Sequence, residues 1–178
     1  MMHLLLMMAA LAASACTGDP FVLITPEPVA SDEPLTASAP PLKPAPTLCG
    51  EALVSSLSVA SRDLLWPSET DAPLIPLLVP EADPADTQLL RALLGVEPDT
   101  PVEVRTLAEL DALGVERSWM TPEERAEAER FRALAAVLRE NLEQPAIYQV
   151  GRSDAYLLLV GRTRCGELAG LVTFVVET

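Results

Sequence analysis

The carboxy-terminal third of the chain alternates and clusters apolar residues in short runs: AIYQV at 146–150, AYLLLVG at 155–161 and LAGLVTFVV at 168–176. Runs of this length, rich in β-branched and aromatic residues, predict three consecutive strands. RTRCGE, residues 162–167, is short enough to be the tight connection between the last two, with Gly166 free to turn left-handed. Before them, Phe131, Leu134, Ala135, Leu138 and Leu142 recur at helical spacing and predict one long helix ending near Leu142. Its start is marked by Pro122 in the first helical position and by Thr121 and Glu124 at capping-box spacing. Thr106 and Glu109 have the same spacing and predict a second capping box. Ala52, Leu53, Leu57, Ala60, Leu64 and Leu65 predict a first helix that ends near Trp66, where Pro67 stops it. The apolar run LIPLLVP, bracketed by prolines, reads as a strand near a sheet edge. PADTQLLRALL, residues 84–94, reads as a short helix closed by Gly95, and PVEVRTL after it alternates like a strand.

Helices at the start and middle followed by consecutive strands imply an α/β fold: an α/β/α sandwich whose sheet is mixed and largely antiparallel, with helices on both faces. That domain spans residues 48–178. Ahead of it, residues 16–47 are dense in Pro, Ser, Thr and Ala without helical period, the composition of a semi-extended tether. FVLI, residues 21–24, is its one apolar stretch. Residues 1–15 read as a signal peptide with an apolar h-region too short to span a bilayer as a lasting helix. Ala13-Ser14-Ala15-Cys16 resembles a lipobox in which Cys16 is acylated; Ala13-Ser14-Ala15 serves equally as an ordinary cleavage site. The first reading places the domain on a lipid anchor in the cell envelope, periplasmic or outer-membrane; the second makes it a soluble secreted protein.

Three cysteines are an odd number for an exported chain. With Cys16 carrying lipid, Cys49 and Cys165 remain as a pair for one disulfide in an oxidising compartment, which would tie the start of the domain to its last hairpin. Two separate buried thiols are the alternative.

The net charge is -14, from 12 basic and 26 acidic side chains. This argues against direct nucleic-acid binding, which requires clustered Lys and Arg, and suits a basic protein partner. The one histidine is His3 and the one lysine is Lys43. The domain therefore lacks a His or Lys base for nucleophilic catalysis and the ligands for a Cys/His zinc site. No enzymatic activity and no cofactor are expected, and the domain alone is expected to be a monomer.

DLLWPSETDAPLIPLLVPE, SWMTPEERAEAERFRALAAVLRENL and QPAIYQVGRSDAYLLLVGRTRCGELAGLVTFVVET together resemble the nuclease A inhibitor family, small acidic proteins that block sugar-nonspecific DNA/RNA endonucleases. The likeness covers about residues 50–178; LLWPSE and GELAGLVTFVVET are its most specific pieces. It implies an α/β/α sandwich and three contact positions, falling on Glu69, Trp119 and Thr178. By the same resemblance Thr178, beside Glu177 at the tip of the last strand, reaches into the nuclease and helps ligate its divalent metal. A hydroxyl and a carboxylate suit a hard cation that prefers oxygen ligands. Where the family pattern has a neutral glutamine two residues before the tryptophan, this chain has Arg117. A cation there against a basic partner implies a changed target, or a lipid-anchored envelope binding or scaffolding domain that keeps the fold without nuclease inhibition.

Overall fold

A computed structural model describes residues 47–176. The signal segment, nearly all of the tether, Cys16, Glu177 and Thr178 lie outside the described residues.

The elements in chain order are α1 (Gly50–Ala60), β1 (Leu65–Trp66), β2 (Ala72–Pro73), β3 (Ile75–Val79), α2 (Thr87–Leu94), β4 (Val102–Thr106), α3 (Ala108–Leu113), α4 (Pro122–Asn141), β5 (Leu142–Gly151), β6 (Asp154–Thr163) and β7 (Leu168–Val176). Five strands form one sheet in the order β3-β7-β6-β5-β4, and β1 and β2 form a separate two-stranded ribbon. Every pairing among the described residues is antiparallel, so the sheet is not mixed as expected. The proline-flanked run is an edge strand, β3, where Pro76 withholds no hydrogen bond that a second neighbour would need.

β6 shows why its sequence reads as a solid apolar block. Successive side chains point to opposite faces of a strand. Leu157 and Leu159 enter a core with Leu53 and Leu57 of α1, Leu110 of α3, and Phe131, Leu134 and Leu138 of α4. Leu158 and Val160 enter a second core on the other face with Tyr148, Leu168 and Leu90 of α2. Both faces are covered, so no polar position is tolerated between them. The layers are therefore helices, sheet, helix.

α4 begins as the sequence predicts. The Thr121 hydroxyl accepts from the Glu124 N–H at 3.2 Å, and the Glu124 carboxylate accepts from the Thr121 N–H at 2.6 Å. The matching box at Thr106 and Glu109 does not form. α3 starts at Ala108 after Leu107, and Glu109 turns to Arg105 instead, at 3.4 Å. Gly95 closes α2 in the left-handed conformation, with φ 66°. The first helix stops at Ala60, short of Trp66. The polar stretch Ser61-Arg62-Asp63 leads out of it, with Asp63 at φ 58°, and Trp66 is instead the buried residue of β1. Pro67 forbids helix at its predecessor but does not decide where the helix has already ended.

Cys49 and Cys165 form a disulfide with Cα atoms 6.2 Å apart. Beside it the Gly50 N–H donates to the Glu167 carboxylate at 2.9 Å, and the Thr163 hydroxyl donates to the same oxygen at 3.1 Å. Leu48 is held by Asn141, whose side-chain oxygen accepts from its N–H at 2.7 Å. The amino-terminal edge of the domain is thus stapled to the β6–β7 turn.

Candidate functional site

At the other end of β7 the chain builds a different surface. The β1–β2 ribbon is joined by Pro67-Ser68-Glu69-Thr70-Asp71, a turn held by its own side chains. Ser68 donates through its hydroxyl to the Thr70 carbonyl at 2.7 Å, and the Asp71 carboxylate accepts from the Ser68 N–H at 3.3 Å. Short polar side chains that bond the backbone two or three residues away favour turns of this kind. The turn is fixed to the sheet as well: the Glu69 N–H donates to the Val176 carbonyl at 3.2 Å. An exposed Glu69 therefore stands beside the last described residue of β7.

Trp119 lies in the connection between α3 and α4 and is 69% exposed, whereas Trp66 is buried. Two arginines of α4 hold that connection at its ends. Both Nε and Nη2 of Arg132 donate to the Gly114 carbonyl, at 3.3 and 3.0 Å. Both Nε and Nη2 of Arg125 donate to the Met120 carbonyl, at 3.2 and 2.9 Å. Seven residues separate them, two turns of helix, so both guanidinium groups project along one face. Gly114 allows this close approach: a Cβ at that position would sit 3.2 Å from the Arg132 backbone nitrogen, a tight contact. Within the loop the Met120 N–H donates to the Arg117 carbonyl at 3.1 Å. Trp119 is thus presented on a braced segment, which limits the ordering entropy lost when a partner covers it.

The turn and the loop face one another across a cleft of about 320 Å³. Leu65, Pro67 and Asp71 come from the ribbon, Trp119 and Met120 from the loop, and Phe131 from α4. Glu69, Trp119 and the end of β7 consequently share one end of the molecule, although they are far apart in sequence. Arg117 is exposed on the same loop, and among the described residues its guanidinium makes no ion pair. Glu177 and Thr178, expected to complete the tip, lie outside the described residues. Cys49 and Cys165 belong to the opposite end of β7, and Cys16 is not described.

The sequence gives no sign of the bracing pair Arg125 and Arg132, which read there as ordinary helix-surface charges. Their acceptors are backbone carbonyls in another segment, and no side-chain pattern encodes those. Among the described residues no group of three or more His, Cys, Asp or Glu side chains is placed to hold a metal ion, and no helix is long and apolar enough to cross a membrane.

A braced exposed tryptophan, an acidic turn and a strand end on one face make a surface of the kind found where proteins contact other macromolecules. Residues 51–178 match the family model of the nuclease A inhibitor-like proteins, and the chain belongs to that family. The family points to nuclease inhibition in general, through binding a nuclease partner. A search of curated proteins found no match.

Proposed function

We propose that the domain inhibits a metal-dependent, sugar-nonspecific nuclease by occupying its active site. Thr178 brings oxygen ligands to the nuclease's divalent cation, Glu69 engages basic groups around the catalytic cleft, and Trp119 fills a pocket at its rim. A hard cation accepts such oxygens in place of phosphate oxygens, and the acidic surface favours association with a protein built to bind nucleic acid. The observation that carries this reading is the bond from the Glu69 N–H to the Val176 carbonyl, which sets the acidic turn beside the strand leading to Thr178. The leader-like segment and Cys16 support a location in the cell envelope, or secretion where Cys16 is not acylated, from which the inhibitor would guard against a secreted nuclease.

The test is an extension: Gly-Ser residues added after Thr178, assayed against a nonspecific endonuclease encoded by the same organism. Inhibition should weaken by at least about a hundredfold, as expected when a central contact is lost, while the melting temperature stays unchanged. Undiminished potency rules out the tip mechanism. The second reading, an envelope binding domain without nuclease inhibition, is favoured by the unpaired Arg117. It predicts that Arg117→Gln leaves the domain equally inert toward nucleases.

A further inference from the structure

The cleft between the β1–β2 ribbon and the Trp119 loop has an unusual lining for an acidic protein. Its apolar walls are Leu65, Pro67, Leu113, Met120, Ala128 and Phe131. Three carboxylates, Asp71, Glu124 and Glu127, line it as well, and no basic side chain does. Acids on a helix surface are ordinarily balanced by arginines three or four residues away, and α4 carries several. Here those arginines are committed elsewhere. Arg125 and Arg132 hold the loop carbonyls, and Arg130 donates to the Arg62 carbonyl at 3.3 Å. Asp71 and Glu124 each accept a backbone N–H. The Glu127 carboxylate makes no hydrogen bond or ion pair among the described residues.

A cleft with apolar walls, an exposed indole on one side and uncompensated carboxylates has one complementary chemistry. It suits a long side chain whose stem is aliphatic and whose head is cationic. The stem replaces water on the apolar wall, the head meets carboxylates, and the ring of Trp119 adds a cation–π contact. A purely apolar group would cover the carboxylates without pairing them, which is unfavourable.

We propose that this cleft is a socket for a single arginine or lysine side chain of the partner protein, with Asp71 and Glu127 as its charge-pairing residues. The identification of the partner as a nuclease rests on the inhibitor reading above; the socket's chemistry does not. Glu124 contributes less, because one of its oxygens is committed to the helix cap. The two arginine braces keep Trp119 in place as the socket's wall before binding.

Two measurements test this. In the first, the isotope-labelled protein is titrated by NMR with N-acetyl-arginine amide and, in parallel, with N-acetyl-leucine amide. Saturable shifts are expected at the Trp119 indole and at the Asp71 and Glu127 amides with the arginine compound. They should vanish in the Asp71→Asn/Glu127→Gln double variant, which keeps side-chain shape and leaves the Thr121–Glu124 box intact. No saturable shift, or equal shifts with the leucine compound, overturns the socket. Concentration-dependent self-association that maps to these residues and is abolished by Arg117→Gln would assign the cleft to a second copy and overturn it too.

In the second, the double variant and a control neutralisation, Glu140→Gln, are compared for nuclease inhibition. The double variant should dissociate at least about tenfold faster, while the control alters association alone. Equal behaviour of the two overturns the assignment. A wild-type protein that titrates with the arginine compound yet inhibits no nuclease would refute the inhibitor function and leave the socket standing.

Discussion

Removing the disulfide by Cys49→Ala/Cys165→Ala is the sharpest test of how stability and function divide along β7. The bridge closes a loop of 116 residues. Confining an unfolded chain of that loop length lowers its entropy by roughly 16 cal/mol/K, equivalent to about 4.8 kcal/mol at 25 °C. Unfolding a domain of about 130 residues releases roughly 0.27 kcal/mol/K at its midpoint, so that loss lowers the melting temperature by about 18 °C. The assay is thermal unfolding by circular dichroism, with wild type, the double variant and wild type under reductant in parallel. Wild type with reductant should match the variant, and both should stay folded at 25 °C because the Gly50–Glu167 and Leu48–Asn141 bonds remain. The bridge lies just before Leu168, whereas the Glu69 contact is at Val176. Eight residues of strand put roughly 27 Å between them. The folded variant should therefore inhibit with unchanged affinity. A melting shift under about 5 °C would refute the entropic estimate, and an affinity change with an intact fold would refute the separation of the two ends.

Three further outcomes are expected. Trp119→Ala should cost about 2–4 kcal/mol in nuclease binding, measured by titration calorimetry, with almost no change in melting temperature because its side chain is 69% exposed. Gly170→Ala should prevent stable folding, seen as loss of soluble protein and of cooperative unfolding: φ is 150° there, and an added Cβ would overlap the Leu159 carbonyl oxygen in the middle of the sheet. Tyr148 is held above the ordinary tyrosine range, first by burial and then by the negative charge of Asp83. A raised folded value means the folded state keeps its proton longer than the unfolded chain. Its contribution is thus complete below the unfolded value and is lost as pH rises through the folded one; stability should fall above about pH 10, and Tyr148→Phe should flatten that fall in urea titrations at alkaline pH.

The local signals in the chain were sufficient for most elements. Thr121-Pro122-Glu123-Glu124 specifies the start of α4 because all of the cap's partners lie within one helical turn. Gly95 and Gly166 both take the positive φ that their positions in turns suggest. Where the reading went astray, the competing partner was distant or the signal degenerate. The periodicity through Leu64 and Leu65 continues past the true end of α1, because Leu64 is buried from a turn as readily as from a helix. The Thr106 box fails because Glu109 finds Arg105. The all-antiparallel pairing follows from how β3 and β4 join the two outer edges of the sheet, which apolar runs do not encode.

The candidate site divides in the same way. Glu69 and Trp119 were identifiable through family likeness, since LLWPSE and SWMTPEE are contiguous words in the chain. Sequence by itself carried most of the helices and strands, the acidic balance, the lack of a His or Lys base in residues 48–178, and Cys49 and Cys165 as candidate partners for one bridge. Tertiary structure alone decided that Glu69 meets Val176, that Arg125 and Arg132 brace the Trp119 loop, and that Asp71 and Glu127 face a common cleft. Periodicity and capping are local, acting over one or two turns, and can be read directly. Contacts between a side chain and a remote backbone carbonyl depend on how the layers pack, and no residue pattern announces them.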